Sequence, residues 1–210
     1  CARSSPTITT LKKLQTWNQD PFYQDIRKKM INGEMLPEHC KACYNYEKMG
    51  IESYRQFESM DWISQLDLAS INDLSTIERP YFYEFHIGDN CNIKCRGCDP
   101  ASSKPIGIEA KKFNIVPLTP YNWEVHSPST DYVNIDLLDS KSTVHFQGGE
   151  PTIMPEVIDF LHKCIKKNRT NFNLSMCTNG VKLPRKFLEV LTHFSKVSFS
   201  FSLDGFDKVN

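Results

Sequence analysis

The stretch Cys91-Asn-Ile-Lys-Cys95-Arg-Gly-Cys98 decides how the chain is interpreted, and it directly follows a strand-like run at residues 81–87. Thiolates are ligands that iron-sulfur clusters and zinc both accept. A cubane cluster has four irons, so three cysteines leave one iron open for another ligand. A ferredoxin run supplies four cysteines, and a zinc ribbon pairs two C-x2-C knuckles. The spacing therefore favours a 4Fe-4S cluster, with zinc as the alternative.

A second motif, His145-Phe-Gln-Gly148-Gly149-Glu150-Pro151, lies where a predicted strand gives way to a helix. Two glycines allow the backbone to approach a ligand closely, and a glutamate can accept a hydrogen bond from an ammonium group. Taken alone, Gly148 and Gly149 also fit an ordinary turn between a strand and a helix. The motif therefore predicts a ligand contact chiefly because it accompanies the three cysteines.

The two motifs together resemble the radical S-adenosylmethionine (radical SAM) enzymes, in which C-x3-C-x2-C follows the first barrel strand and Gly-Gly-Glu-Pro follows the second. The resemblance implies that Cys91, Cys95 and Cys98 hold a 4Fe-4S cluster whose open iron binds S-adenosyl-L-methionine. Residues 148–151 would then bind the amino group of the cofactor. In this family the reduced cluster cleaves the cofactor to methionine and a 5'-deoxyadenosyl radical, which abstracts hydrogen from substrate. The position before the third cysteine is often aromatic and packs on adenine, but here it is Gly97, so adenine stacking must come from elsewhere.

Strand and helix signals alternate over residues 79–210, as expected of a parallel α/β unit. The predicted strands are residues 81–87, 143–147, 171–177 and 196–203, and the predicted helices are residues 155–167 and 184–193. Each strand alternates apolar with polar residues, so one face should pack under helices and the other should line a hydrophilic, substrate-sized interior. An antiparallel sheet with a solvent face is the alternative. By the family resemblance, the fold is a partial (β/α)6 barrel of which the first four strands are present.

Three further segments of this unit carry predictions. Ser202 and Asp204 lie at the carboxyl end of the fourth strand, where ligands bind in α/β barrels. Their Ser-Leu-Asp-Gly segment resembles the one that radical SAM enzymes use for the ribose and carboxylate of the cofactor. Thr178-Asn179-Gly180 resembles a recurring segment of the peptide-modifying branch, with a plain Asn-Gly turn as the alternative. Cys164 shares a helical face with apolar residues, which predicts core packing.

The first part of the chain, residues 1–75, carries little strand signal. Its clearest element is a helix: Asp20 suits the amino-terminal cap, Pro21 suits the first helical position, and Asn32-Gly33 supplies the stop. The apolar stripe of this helix is interpreted as simple core packing.

Two more cysteines follow in the stretch Pro37-Glu-His-Cys40-Lys-Ala-Cys43. Spacing alone also allows half of a zinc site or a redox dithiol. With Trp17-Asn18 and the Arg-Lys-Lys-Met run before it, the stretch resembles the SPASM and twitch domains, which hold auxiliary clusters in many radical enzymes. The resemblance implies that Cys40, Cys43 and Cys1 ligate an auxiliary 4Fe-4S cluster whose fourth ligand lies upstream of Cys1.

Composition bounds the remaining choices. The 210 residues have balanced charge and 40% apolar content, which indicates a soluble globular protein of one or two domains. Without a membrane-length apolar stretch or a long basic run, we expect neither membrane nor nucleic acid as a partner. Eight cysteines in metal-type groupings indicate a reducing compartment, so the expected location is cytoplasmic. Because the chain begins at Cys1 and ends soon after the fourth strand, we interpret it as a fragment.

The sequence therefore predicts a radical SAM enzyme, an oxidoreductase, with a core at residues 79–210 and a SPASM/twitch-like module at residues 1–75. The family resemblance implies a flavodoxin or ferredoxin as electron donor. A peptide or protein substrate is predicted by family analogy alone. The competing hypothesis is a non-catalytic zinc or iron-sulfur module, or an electron-transfer protein, that uses the same cysteines.

Overall fold

The structure is a computed structural model that describes residues 19–65, 79–100, 102–115, 130–131 and 133–203. The chain divides into two compact units, Cys1–Pro80 and Tyr81–Asn210. The assignment of residues 1–75 to an auxiliary module and of 79–210 to a catalytic core stays a prediction. Cys1, Asp204 and the Trp17-Asn18 pair lie outside the described residues. Within the described ranges, no helix has both the length and the apolar character needed to cross a membrane.

The first unit contains three described helices: α1 (Pro21–Ile31), α2 (Pro37–Lys48) and α3 (Tyr54–Gln65). The predicted start and stop signals of α1 are confirmed, but the predicted core packing of its apolar stripe is wrong, since no residue of α1 is buried and Met30 is 46% exposed. The Asp20 carboxylate accepts a hydrogen bond from the backbone N–H of Phe22 at 2.9 Å, which satisfies one of the free donors at the helix start. At the other end, Gly33 adopts the left-handed conformation, with φ of 73°.

An ion pair connects α2 to the start of α3. Arg55 donates to the carboxylate of Glu47 from Nε at 3.2 Å and from Nη2 at 2.8 and 2.7 Å, and Ser53 Oγ donates a fourth hydrogen bond at 2.6 Å. These donors, Arg55 first, hold the pKa of Glu47 below its usual range. The Arg55 guanidinium also lies 5.5 Å from the ring centre of Tyr44. The pair therefore fixes the turn between the two helices with a planar bidentate contact.

The second unit is built on one parallel sheet in the order β1-β2-β3-β4, so the antiparallel alternative is wrong. The strands are β1 (Phe82–Ile87), β2 (Thr143–Gly148), β3 (Asn173–Thr178) and β4 (Lys196–Phe201). Three helices accompany them: α4 (Lys104–Lys112), α5 (Pro155–Lys166) and α6 (Arg185–Leu191). Single 3-10 turns occur at Ile135–Leu137 and Pro151–Ile153. The predicted strands are therefore present, each with bounds shifted by at most two residues.

The apolar face of the sheet forms the core, as predicted. Phe146, with no exposed surface, stacks on Phe85 at a centroid distance of 5.1 Å and meets Phe160 of α5 edge-on at 5.6 Å. Cys164 of α5 is also fully buried in this cluster, which confirms its predicted packing role. Burial raises the pKa of the Cys164 thiol to about 12, so this cysteine stays a neutral apolar side chain.

The prediction of a continuous apolar face is wrong at the end of the fourth strand. Phe201 and Leu203 are 51% and 63% exposed, although their spacing continues the core-facing set. The strand order explains the difference, because β4 stands at an edge of the sheet and α6 is the last described helix. Alternation alone therefore identifies a face, but burial also needs an element that covers it.

We expect Phe146→Ala to lower the free energy of unfolding by about 3–5 kcal/mol, because it removes a fully buried ring with two aromatic partners. Urea denaturation followed by circular dichroism measures the loss. Phe113→Ala is the matched control, since this ring is 60% exposed and should change stability by less than about 0.5 kcal/mol. Equal losses in the two variants would contradict the assignment of the core.

Candidate metal and cofactor site

The three cysteines of the first motif lie on the loop that leaves β1. Cys91, Cys95 and Cys98 are all partly buried, and all are free thiols. A turn brings the second and third together, with the N–H of Cys98 donating to the carbonyl of Cys95 at 3.1 Å. The loop is closed at its far end because the N–H of Lys104 donates to the carbonyl of Asp89 at 2.6 Å. The sequence thus forms a short, anchored loop that carries three sulfur donors.

The donor set fits an iron-sulfur cluster by its chemistry. Burial raises the pKa of the Cys98 thiol, a backbone hydrogen bond with Asp99 partly offsets this rise, and electrostatic interactions with Asp99, Cys95 and Cys91 add to it. Within the described ranges, no three His, Cys, Asp or Glu side chains converge closely enough to hold a metal ion, so the thiols share a loop without surrounding one point. Three soft ligands on one loop, which act on each other electrostatically, suit a thiophilic metal once they are deprotonated.

The second motif packs directly against the base of this loop. The N–H of Gly149 donates to the carbonyl of Gly88 at 3.1 Å, and the N–H of Glu150 donates to the carbonyl of Asn90 at 2.9 Å. A side chain at Gly149 would put its Cβ 2.3 Å from the Asn90 carbonyl oxygen, so only glycine fits. The close approach that this glycine permits is therefore to the residue before Cys91. The two motifs meet because β1 and β2 are parallel neighbours.

The carboxylate of Glu150 is fully buried and accepts four hydrogen bonds from the protein. Its Oε1 accepts from the backbone N–H of Thr152 at 3.2 Å and from the hydroxyls of Thr152 and Thr178 at 2.6 and 2.7 Å. Its Oε2 accepts from the N–H of Asn179 at 2.9 Å. The sequence predicts that this carboxylate faces a ligand. In the structure it points into the protein instead, where its hydrogen bonds connect the ends of β2 and β3. The predicted binding of the cofactor by residues 148–151 stays a prediction.

The segment after β3 is more than a plain Asn-Gly turn. The Asn179 side chain donates through Nδ2 to Asn92 Oδ1 at 2.9 Å and to the sulfur of Cys91 at 3.7 Å. Gly180 has φ of 68°, and a Cβ there would lie 2.8 Å from the Phe201 ring. The turn therefore reaches the first cysteine of the loop. No local pattern announces this contact, because the two residues are 88 positions apart.

At the end of β4, Ser202 lies beside the third strand. Its N–H donates to the carbonyl of Thr178 at 2.9 Å, and its hydroxyl contacts the sulfur of Cys177 at 3.4 Å. Ser202 is exposed. The structure thus brings Ser202 to the carboxyl end of the sheet, as predicted from the strand pattern, while its contact with the cofactor stays a prediction.

Comparison with known proteins identifies the family. The model of the Radical SAM superfamily matches residues 85–209, which include the cysteine loop, the Gly-Gly-Glu-Pro motif and most of the four-stranded sheet. The chain belongs to the radical SAM superfamily. No curated protein and no solved structure matches it. Membership implies a 4Fe-4S cluster, S-adenosylmethionine and, in general, reductive cleavage of that cofactor by an enzyme.

The polar face of this radical SAM sheet carries a hydrogen-bonded group on β1 and β2. Gln147 Nε2 donates to the carboxylate of Glu84 and lies 2.8 Å from His86 Nε2. On the same face, His145 Nδ1 lies 3.0 Å from Ser175 Oγ, and burial lowers the pKa of His145. Glu84 and His86 are exposed. The face therefore presents hydrogen-bond donors and acceptors on β1, the strand that leads into the cysteine loop, and on its neighbours.

The predicted auxiliary ligands lie on one helix of the first unit. Cys40 is buried at 4% exposure and Cys43 is partly buried, and both belong to α2, at positions three residues apart. Such spacing places two side chains on the same face of a helix. The third predicted ligand, Cys1, lies outside the described residues.

We expect Glu150→Gln to lower the free energy of unfolding by about 2–3 kcal/mol, because an amide group must then face a buried donor. Either orientation of the glutamine directs its NH2 towards the donors from Thr152 and Thr178 or towards the N–H of Asn179. Glu189→Gln is the control: its side chain is 63% exposed and pairs with Arg185 one turn away on α6, so the change should cost less than about 0.5 kcal/mol. If urea denaturation gives Glu150→Gln the same free energy of unfolding as the wild type, the hydrogen bonds of this carboxylate do not stabilise the fold.

Proposed function

We propose that this chain is a radical SAM enzyme that acts on a peptide or protein substrate and holds its catalytic 4Fe-4S cluster on Cys91, Cys95 and Cys98. The observation that carries the proposal is the junction of the two motifs. Inside the range matched by the family, the backbone of Gly149 and Glu150 hydrogen-bonds the base of the cysteine loop. Three thiols and a glycine-rich strand end therefore adjoin at the carboxyl edge of a parallel sheet, where ligands bind in α/β folds.

In this proposal, different parts of the second motif have different tasks. Because both Glu150 oxygens are already occupied by protein donors, the carboxylate positions the segment, and the backbone of residues 148–151 contacts the amino group of the cofactor. Ser202, exposed at the end of β4, is proposed to contact the ribose or carboxylate of the cofactor together with Asp204. Adenine stacking is left to residues other than Gly97, which has no side chain to provide it.

The bound cluster and cofactor supply the radical chemistry of the family, for which a flavodoxin or ferredoxin is proposed as the electron donor. The chain contributes orientation. Cys91, Cys95 and Cys98 present three ligands from one anchored loop, and the neighbouring strand end holds that loop in place. All seven cysteines in the described ranges are free thiols, which supports a reducing, cytoplasmic location.

The open polar face of the sheet supports a substrate rich in amide groups. Glu84, His86 and Gln147 place a carboxylate, an imidazole and an amide within hydrogen-bonding reach of one another. Such a mixture can both accept from amide N–H groups and donate to amide carbonyls. A peptide exposes both groups at every residue, so this surface suits a peptide segment better than an apolar molecule.

We further propose that the first unit is a SPASM/twitch-like module whose Cys40 and Cys43 ligate an auxiliary 4Fe-4S cluster, with Cys1 as a third ligand. Support comes from the shared face of α2 and from the burial of Cys40 beside a buried Leu36. A dry environment protects a cluster from solvent and shifts its potential.

The catalytic assignment is tested by electron paramagnetic resonance of the anaerobically reconstituted, reduced chain, with and without S-adenosylmethionine. We expect a 4Fe-4S signal that the cofactor shifts, because an iron without a protein ligand can bind it. Cys95→Ser should abolish this signal. Cys164→Ala should leave it unchanged, because this thiol is fully buried in the core.

Other outcomes favour the competing functions. Cluster signals of which none responds to the cofactor would indicate electron transfer, and zinc without iron would indicate a zinc module. Either result would overturn the proposed enzyme.

The auxiliary cluster is tested by iron analysis of the same preparations. The double variant Cys40→Ala/Cys43→Ala should contain about four fewer iron atoms per chain than the wild type. It should also retain the signal that responds to S-adenosylmethionine, since the catalytic ligands are intact. Unchanged iron content would refute an auxiliary cluster at these positions, and zinc lost in parallel with the two thiols would identify the alternative site.

A further inference from the structure

The amide of Asn179 is held in one orientation by the backbone. Its Oδ1 accepts a hydrogen bond from the N–H of Val181 at 2.9 Å, and a backbone N–H can only donate. The Nδ2 group must therefore point the other way, towards Asn92 Oδ1 at 2.9 Å and the sulfur of Cys91 at 3.7 Å. The two hydrogens of this NH2 group match these two acceptors. Exchanging the oxygen and nitrogen atoms would break the bond to Val181.

The backbone of Asn179 is fixed as firmly as its side chain. Its N–H donates to the buried carboxylate of Glu150 at 2.9 Å. The preceding Thr178 donates its hydroxyl to the same carboxylate at 2.7 Å and accepts from the N–H of Gly180 at 3.1 Å. The donor that faces Cys91 therefore stands on a turn whose residues are bonded to a fully buried group.

We propose that Asn179 is a positioning residue that donates an N–H···S hydrogen bond to the Cys91 thiolate and thereby raises the reduction potential of the cluster. This inference rests on the proposed ligation of the cluster by Cys91. Hydrogen bonds to the sulfur ligands are among the factors that set the potential of an iron-sulfur cluster. Reduction adds negative charge to the cluster and its thiolates, so a fixed donor stabilises the reduced form more than the oxidised form. Loss of the donor should lower the potential.

Redox titration of the reconstituted 210-residue chain tests this inference. It is carried out in the Cys40→Ala/Cys43→Ala background, which lacks the proposed auxiliary cluster, and is followed by the paramagnetic signal of the reduced cluster without S-adenosylmethionine. For Asn179→Ala we expect the ratio of reduced to oxidised cluster at a fixed potential to fall about tenfold, which equals 59 mV for a one-electron couple. Asn179→Asp should shift the midpoint further, because it replaces the donor by a charged acceptor. Iron content must match that of the Cys40→Ala/Cys43→Ala background in each sample.

Two control variants separate the hydrogen bond from general damage to the turn. Thr178→Val removes one bond to Glu150 and the acceptor of the Gly180 N–H, but it leaves the donor to Cys91 in place. The ratio of reduced to oxidised cluster in this variant should therefore stay within about twofold of wild type. Asn92→Ala removes the other acceptor of the Asn179 amide, but the bond from Val181 still sets the amide orientation. Its midpoint should therefore also stay near that of the wild type.

Three results would overturn the inference. A wild-type midpoint in fully loaded Asn179→Ala and Asn179→Asp would show that the donor has no electronic effect, while leaving the proposed enzyme intact. A shift in Thr178→Val as large as that in Asn179→Ala would assign the effect to loop geometry. A wild-type chain that takes up no cluster at Cys91 would overturn both this inference and the proposed function.

Discussion

The buried carboxylate of Glu150 is the interaction on which the candidate site depends. A buried carboxylate is costly unless hydrogen bonds replace its hydration, and here donors from Thr152, Thr178 and Asn179 do so. These donors come from the turn after β2 and from the end of β3, so satisfying one side chain fixes two strand ends. A side chain with no exposed surface therefore fixes the strand ends that form the site.

From this carboxylate, the hydrogen bonds run in a closed circuit. The N–H of Glu150 donates to the carbonyl of Asn90, and the Glu150 carboxylate accepts from the N–H of Asn179. The side-chain amide of Asn179 in turn donates to the sulfur of Cys91, the residue after Asn90. The parallel order of the sheet makes the circuit feasible, because the carboxyl ends of β1, β2 and β3 lie at one edge. Consecutive hydrogen bonds thus connect the ends of β2 and β3 to the cysteine loop.

Much of this fold follows from local sequence pattern, but the circuit does not. Alternation of apolar and polar residues predicts all four strands, and the family resemblance of the glycine and cysteine motifs implies that both serve one cofactor. The orientation of Glu150 could not be predicted, since two of its four donors, from Thr178 and Asn179, lie 28 and 29 positions away at the end of another strand. The exposure of Phe201 was missed for a similar reason: side-chain period reports a face, whereas burial depends on what packs against it.

The inward orientation of Glu150 also bears on how the cysteine loop would respond to a change of charge. A donor that must rotate to meet a new charge loses part of its benefit in reorganisation, whereas one already fixed does not. The Asn179 amide is fixed from both ends, by the N–H of Val181 and by the acceptor on Asn92. Its backbone is also bonded to a buried carboxylate, so groups other than Cys91 set this orientation. The fold thus places the oriented amide dipole of Asn179 beside the sulfur of Cys91, so the donor needs no rearrangement when the charge on that sulfur changes.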